Sequence, residues 1–501
     1  MNNENLITVI YNGKSISAEK NTLLSDIIDA EKPCGGRALC GKCKVIAKGE
    51  ISPITEREEE LLSKEDISRG VRLSCLTYAL GDCHVEPLYE EKDSLILSDG
   101  ELPDFELDPA FSKYGAAVDI GTTTVTAKLY RKDGKFLASA SRLNPQSAYG
   151  ADVISRIEAS LGGKREELAR CIASAIDSML AELCESASIP CEEIDGVVIT
   201  GNTVMLSLLS GISVEPFSHA PFLAEELFGK TVSAESLSIK ALKNDTPIYL
   251  PRCISAFVGA DTSCAVLASE MTKRDEKSLL VDIGTNGEIA LFDKGNLLVA
   301  STAAGPAFEG VNISSGMRAS FGAIDKADLY NGQIIPHVIG DCEPIGICGS
   351  GLIDVVCCML GLGELDESGY LECEKFFISE KVYISDKDIR MLQLAKSAIS
   401  SGMLTLIDEG KIAQKEIATL YIAGGFGNYL NLRNAESIGL LPMGFASVAK
   451  VIGNAALEGA VMLLLNTSFR KELEKIAKSA KTVELSSNKK FSDYYIDRML
   501  F

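Results

Sequence analysis

The 501-residue sequence has no tryptophan and only three histidines, His84, His219 and His337, which do not cluster. Without tryptophan, any stacking on a flat ligand falls to Phe or Tyr. Three scattered histidines argue against a histidine metal site. Long apolar runs are missing too. The longest, near GAVMLLL, is far too short to span a bilayer. The start, MNNENLITV, lacks the charged and apolar blocks of a signal peptide. A cytoplasmic protein with no membrane association is expected. Positive charge is in deficit, since 49 Lys and Arg face 70 Asp and Glu, a formal net charge of −21. That argues against nucleic acid as a partner and suits solubility or a basic partner surface. Cysteine, by contrast, is abundant. Fifteen cysteines in a cytosolic chain imply a reducing, anaerobic setting. Most, such as Cys357 and Cys358, sit in apolar context, where a free thiol is core.

Four cysteines have ligand spacing. Cys34, Cys40 and Cys43 lie in PCGGRALCGKCKV, a C-x5-C-x2-C pattern, and Cys75 follows in RLSC. Three thiols on one glycine-rich loop with a distant fourth is a [2Fe–2S] ligand set. Four thiolates leave the cluster net negative, so backbone N–H groups must approach its sulfurs. Gly35, Gly36 and Gly41 allow that approach, and Arg37 and Lys42 add positive charge. A structural zinc site is the alternative, but it usually pairs two C-x2-C units or mixes Cys with His. Around the loop, LITVIY and KSISAEK read as strands joined by Asn12-Gly13, a hairpin dipeptide. TLLSDIIDA reads as a helix capped by Thr22, and CKVIAKG as a strand. This region, residues 1–88, resembles the β-grasp ferredoxins of plant and adrenodoxin type. The resemblance implies a one-electron, low-potential carrier. Cys83 reads as a buried strand thiol.

The chain is too long for one core. Residues 89–112 are acidic, carry Pro103 and Pro109, and read as a linker. Beyond them two motifs echo each other, YGAAVDIGTTTVTAKLY and KSLLVDIGTNGEIALFD. Each is an apolar strand, Asp-Ile-Gly-Thr, a turn and a second strand. An echo at this scale predicts a duplicated fold, with lobes at 113–277 and 278–501. Asp119 and Asp282 end the strands. Gly121 and Gly284 permit sharp turns, while Thr122, Thr123, Thr285 and Asn286 offer polar donors. Such a turn can cradle phosphate oxygens, and the Asp can hold Mg²⁺ through water. LYIAGGFGNYL adds Gly424, Gly425 and Gly427 after a third apolar strand, where a helix N-terminus can approach a ligand. It is neither a P-loop nor a dinucleotide fingerprint.

Together the hairpins and glycines resemble the ATP site of the sugar kinase, actin and heat-shock chaperone superfamily. By that resemblance Asp119 and Asp282 are the catalytic carboxylates facing Mg²⁺. Gly121, Thr122, Thr123, Gly284, Thr285 and Asn286 hold phosphates, and Gly424, Gly425 and Gly427 lie against adenosine. GNAALEGA is similar to the connecting-helix motif, and Gly349, Ser350 and Gly351 offer either nucleotide contacts or helix packing. The expected architecture is an α+β and α/β multidomain chain, a [2Fe–2S] β-grasp domain followed by a two-lobed actin-like ATPase with ribonuclease H-like lobes.

A ferredoxin fused to such an ATPase resembles the reductive activators of corrinoid proteins over most of the chain. NPQSAYGADVISRI, FVGADTSC and AGPAFEGVNISSGMRA fit the same family by likeness. The resemblance implies ATP-dependent transfer of one electron to cobalt(II) on a partner corrinoid protein, restoring cobalt(I) for methyl transfer. It also implies a low-potential electron donor and a homodimer through the ATPase lobes. The last cysteine is Cys373, so a subtype with C-terminal [4Fe–4S] clusters is disfavoured, and the chain is short for the family. Asp261 and Glu288 are candidate hydrolytic bases, or else a cap and a solvated carboxylate. Ser314, Ser315 and Arg318 either face the partner or pack between lobes. Three rivals stay open: a ferredoxin-fused small-molecule kinase, a non-enzymatic redox scaffold, and an activator of a radical dehydratase.

Overall fold

The computed structural model describes residues 6–11, 13–28, 36, 38, 41–87, 102–426 and 429–501. The chain forms two compact units, Met1–Asp93 with Pro145–Ala151 and Ser94–Asn144 with Asp152–Phe501.

The first unit is built on one mixed sheet of β1 (Leu6–Tyr11), β2 (Lys14–Glu19), β3 (Thr22–Leu23), β4 (Lys44–Ile51), β5 (Val71–Leu73) and β6 (Tyr78–Pro87). The order is β2-β1-β6-β4-β5, with β3 also on β6. Strands β1 and β2 form the expected hairpin, pairing Tyr11 with Lys14, and Gly13 takes φ +75° in its turn. Asn12 lies outside the described residues. Alternation buries Ile7 and Val9 against Val45, Ala47, Cys83 and Val85. The helix expected over TLLSDIIDA is shorter. Thr22 and Leu23 pair with Ala79 and Tyr78 as β3, and the Thr22 hydroxyl donates to the Glu19 carbonyl. The helix spans only Leu24–Ile27, and Leu23 precedes it without a side-chain cap. Pairing with β6 takes the residues that were to start the helix, so Thr22 caps nothing.

The second unit holds two six-stranded sheets. The first contains β7 (Tyr114–Ile120), β8 (Thr124–Arg131), β9 (Phe136–Leu143), β10 (Ile194–Gly201), β11 (Lys230–Ser233) and β12 (Pro247–Leu250). The second begins with β13 (Ser278–Ile283), β14 (Asn286–Asp293) and β15 (Asn296–Ala303). A small sheet of β16 (Ala323–Tyr330), β17 (Gln333–Val338) and β18 (Gly346–Ile347) and a ribbon of β19 (Lys375–Phe377) and β20 (Tyr383–Ser385) interrupt it. It is completed by β21 (Thr419–Ala423), β22 (Ala449–Gly453) and β23 (Ala480–Thr482). The orders are β11-β12-β10-β7-β8-β9 and β22-β21-β13-β14-β15-β23. In each sheet an antiparallel meander, β7-β8-β9 or β13-β14-β15, continues from its first strand into two parallel strands. The echo in the sequence is therefore an echo of whole sheets.

One core joins them. Ala117 and Val198 of the first sheet and Leu280 and Tyr421 of the second share a cluster with the helices Ala260–Ser269 and Ala455–Leu465. Those helices meet at Gly459, where a Cβ would stand 2.2 Å from the Cys264 carbonyl oxygen. Only glycine permits that approach. The hairpin tips are held where the two sheets face each other.

The described part of the expected linker, residues 102–112, is not a free tether. Phe105 packs edge-on against Phe469 at 5.2 Å, Phe111 is buried, and the Asp108 and Ala110 amides donate to Leu465 and Leu464. The apolar residues among the acids fasten this stretch to the second unit. Among the described residues no helix is long and apolar enough to cross a membrane.

Candidate functional site

In the first unit, β4 pairs with β5 so that Lys44 faces Leu73. Cys43 directly precedes β4 and Cys75 lies in the turn after β5, so one end of this ladder brings both thiols together. Their Sγ atoms are 3.2 Å apart, and both side chains are buried. Gly36 and Gly41 take φ of +75° and +64°, conformations that favour glycine. Cys34, Cys40, Gly35 and Arg37 lie outside the described residues. The two described thiols fit neighbouring ligands of one iron. Cys83 sits in the core of the sheet, and burial pushes its thiol up, as expected of an unreactive strand cysteine.

Sequence reasoning missed what holds the Cys75 turn. Glu58, fully buried, accepts from the Leu73 amide (3.0 Å) and the Thr77 hydroxyl (3.2 Å), one on each side of Cys75. Arg72 donates to both carboxylate oxygens, at 3.0 and 2.9 Å. Burial works to raise the Glu58 pKa, but Arg72 and the Thr55 and Leu73 amides hold it below the ordinary value of 4.5. Its stabilisation is thus complete above about pH 4.5 and is lost as pH falls through the lower folded value. The available signal was Thr55-x-x-Glu58, a capping box. Glu58→Ala leaves the buried Arg72 guanidinium with only the Ser52 and Pro53 carbonyls as acceptors and is expected to cost about 3–5 kcal/mol. A thermal melt should show this, together with loss of the cluster chromophore at temperatures the parent protein withstands.

In the second unit, Asp119 and Asp282 occupy equivalent places near the ends of β7 and β13. Glu288 is opposite Asp282 in the ladder, and Asp261 lies in the first turn of the helix Ala260–Ser269. All four are deep but retain some solvent access. Burial, then the charge of Asp261, pushes Asp119 up to about 8; the Asn454 hydrogen bond opposes this, and the Asp282 charge adds a smaller push. Burial, then Asp261, pushes Asp282 up to about 7. Burial pushes Asp261 up to about 6, and burial with its two acidic neighbours lifts Glu288 well above the usual range. Asp261 and Glu288, expected as hydrolytic bases or else as a cap or solvated carboxylate, share one set of acidic neighbours with Asp119 and Asp282. Such mutual repulsion fits a site completed by a divalent cation. Among the described residues no group of three or more His, Cys, Asp or Glu side chains is placed to hold a metal ion directly.

The two turns meet at their tips. The Thr123 and Thr285 hydroxyls are 3.0 Å apart, and both donate to Glu309, at 2.6 and 2.8 Å. Behind the first turn, Asn144 donates to the Gly121 carbonyl (2.8 Å), Arg156 to the Thr122 carbonyl (2.5 Å) and Asn202 to the Thr122 hydroxyl (3.3 Å). Asn454 caps the helix Ala455–Leu465 while donating to Asp119 (3.3 Å) and Thr126 (3.2 Å). Gly284 and Asn286 form the second turn, linked by a Gly284 amide to Asn286 carbonyl bond of 3.0 Å. Gly424 has φ +96°, and a Cβ there would stand 2.7 Å from Asp282 Oδ1. A Cβ on Gly425 would meet nothing within 4 Å, which leaves room for a ligand. Gly427 lies outside the described residues. Phe426 stacks on Phe308 at 5.0 Å, an aromatic pair of the kind the absent tryptophan requires.

Other expectations change. Beyond the glycine loop, whose Gly427 and Asn428 lie outside the described residues, the α-helix Leu432–Ser437 is capped by Asn431, which accepts from the Arg433 and Asn434 amides. Ser314 bonds Asp388 through amide and hydroxyl, and Ser315 accepts from the Tyr383 amide. Both serines are thus taken up by packing against the segment that opens the helix Asp386–Glu409. Gly349 and Gly351 press on the carbonyls of Phe308 and Ile324, and Ser350 donates to the Asp325 carbonyl. These three residues serve helix packing. Glu309, Arg156 and Asn202 were not singled out, although Glu309 and Arg156 lie in stretches noted for likeness. No local pattern marks Glu309 or Arg156, since their partners are distant in sequence, whereas Asn202 caps the helix Thr203–Leu209 by accepting from the Met205 amide.

Residues 276–501 match the family model described as the C-terminal domain of RACo, the ASKHA domain, and residues 114–274 match the RACo middle region. The corrinoid activation enzyme RamQ of Eubacterium limosum is 35% identical over 429 residues, covering 77% of this chain and 70% of RamQ. The chain belongs to the family of reductive activators of corrinoid proteins. A second relative, the [Co(II) methylated amine-specific corrinoid protein] reductase of Methanosarcina barkeri, is 26% identical over 415 residues, 76% of each chain. A solved reductive activator for corrinoid, iron-sulfur protein superposes with a TM-score of 0.73 at 27% identity, covering 99% of this chain and 98% of that one. The acidic cluster and the twin turns lie within these matched regions, and residues 276–501 are the chain's ASKHA domain.

Proposed function

We propose that this activator passes one electron from a [2Fe–2S] cluster to cobalt(II) of a partner corrinoid protein, restoring cobalt(I), with ATP driving the step. The observation that carries the redox half is the Cys43–Cys75 thiol pair at 3.2 Å. Cys34, Cys40, Cys43 and Cys75 would hold the cluster on a ferredoxin-like β-grasp domain, and when bound it supplies one-electron transfer. Asp119 and Asp282 would hold Mg²⁺ through water. Thr122, Thr123, Thr285 and Asn286, with the Gly121 and Gly284 turns, would hold phosphates. Gly424, Gly425 and Gly427 would leave space for the nucleoside. The wider proposal is a cytoplasmic homodimer of a ferredoxin domain (1–88), a linker (89–112) and two lobes (113–277 and 278–501), fed by a low-potential donor.

Energetics explain the need for ATP. A plant-type cluster sits near about −400 mV. For each 100 mV by which the acceptor couple lies lower, one electron costs about 2.3 kcal/mol. A nucleotide that shifts partner affinity by about 1–3 kcal/mol can cover that deficit. Nucleotide binding between the lobes thus acts on conformation and docking. The test is a titration of cluster-loaded protein with cobalt(II) corrinoid protein and a strong reductant. Cobalt(I) absorbance should appear only with ATP, and its full appearance without nucleotide would sink the coupling.

A further inference from the structure

We infer that Glu309 is an internal stand-in for the nucleotide's phosphate, latching the two turns together until nucleotide displaces it. The inference rests on the reading of these turns as a phosphate site.

The carboxylate is placed as a phosphoryl group would be. One of its oxygens takes the Thr123 hydroxyl from the first lobe, and the other takes the Thr285 hydroxyl from the second. Each hydroxyl has a single proton to donate. A phosphate and Glu309 cannot both take it, and their like charges oppose sharing the space. Glu309 Oε1 also stands 4.0 Å from where a Cβ on Gly284 would be, so it covers one of the two turn glycines. Arg156, fully buried, donates to the Thr122 carbonyl and adds positive potential that any anion here would feel.

The backbone presents Glu309 to this position. It ends a short turn, Pro306–Glu309, between Gly305 at φ +79° and Gly310 at φ +72°. The Gly305 amide donates to the Thr285 carbonyl at 2.8 Å, tying the turn to the loop it blocks. A Cβ on Gly310 would stand 2.5 Å from the Met317 carbonyl oxygen, so that flank is packed. The adjoining Phe308 stacks on Phe426 beside Gly425. The bracket is fixed, and the long Glu309 side chain is the part free to swing. A ligand that must first open a latched state binds with an apparent affinity reduced by the fraction already open. Glu309 is therefore a positioning residue that makes nucleotide entry and release of the lobe-to-lobe bridge one event.

The experiment is a titration of the cluster-loaded full chain with Mg²⁺ and ADP or ATP, following a fluorescent nucleotide, for the parent protein, Glu309→Gln and Glu309→Ala. Both variants should bind nucleotide about tenfold tighter or more, a change of about 1.4 kcal/mol. Acetate should weaken binding to Glu309→Ala by refilling the vacated carboxylate position, and should leave the parent unchanged. If the parent binds nucleotide and both variants bind equally or more weakly, the latch is wrong while the nucleotide site stands. If no form binds nucleotide, the phosphate reading falls and the latch with it. Glu309→Asp, too short to span both hydroxyls, should fall between parent and Glu309→Ala. It serves as the decisive variant should either of the others fail to fold.

Discussion

Cys75→Ser is expected to leave the protein without its cluster chromophore and to reduce cobalt(I) formation to background. The Cys75 thiol is buried 3.2 Å from that of Cys43, in a turn held on both sides by Glu58. A serine oxygen is a shorter and harder ligand for iron, and the turn is too well packed to move and compensate. Cys43→Ser should behave alike, and Cys83→Ser should keep both colour and activity, because Cys83 packs in the sheet core. Iron and acid-labile sulfide analysis after anaerobic reconstitution checks this. Undiminished iron and sulfide in Cys75→Ser, or zinc in the parent protein, would end the cluster reading.

Asp282→Asn is expected to move stability and activity in opposite directions. The ordinary carboxyl value is 3.8, and the Asp282 group is pushed up to about 7. Between those values the unfolded chain has released its proton and the folded, nucleotide-free protein has not. That group's contribution to stability therefore falls as pH rises from about 4 to about 7. Asn carries no such penalty, so Asp282→Asn should be more stable near pH 8 by on the order of a few kcal/mol. ATP-dependent cobalt(I) formation should drop roughly 10²–10³-fold, because a carboxylate that would hold Mg²⁺ at the reacting phosphates is gone. The same sign governs ligand binding. Mg²⁺ with nucleotide must displace protons from Asp119, at about 8, and Asp282, at about 7, so affinity should rise from pH 6 to pH 8. Calorimetry in buffers of different ionisation heat should read proton release. Proton uptake, or an Asp282→Asn variant as active as its parent, would refute the assignment.

How much of this was legible in the sequence depends on range. Cys34, Cys40, Cys43 and Cys75 stood out because ligand spacing is written into one loop and one turn. The two Asp-Ile-Gly-Thr hairpins stood out because strand, turn and strand are contiguous, and their repetition foretold two sheets of matching order. Glu58 and Glu309 did not stand out. Glu58 has a local capping box with Thr55, but its bonds to Arg72, Leu73 and Thr77, like those of Glu309 to Thr123 and Thr285, reach more than a dozen residues away, where no local pattern points. Thr22 misled for the opposite reason. Its sequence suits a cap, but Leu23 and Thr22 are drawn onto β6 by a ladder whose partner lies far along the chain. The acids of residues 102–112 likewise concealed Phe105 and Phe111, which anchor that stretch.

Sequence alone determined the chemistry available to this chain: thiol spacing, paired acid-bearing turns, a glycine-rich strand end and the family these imply. Such features reside in short spans whose backbone demands are local. Tertiary structure alone decided which acids crowd into one cluster, which carboxylate bridges Thr123 to Thr285, and which serines are used up in packing. Those outcomes depend on two sheets closing over a shared core, and the residues concerned become neighbours only after the chain has folded.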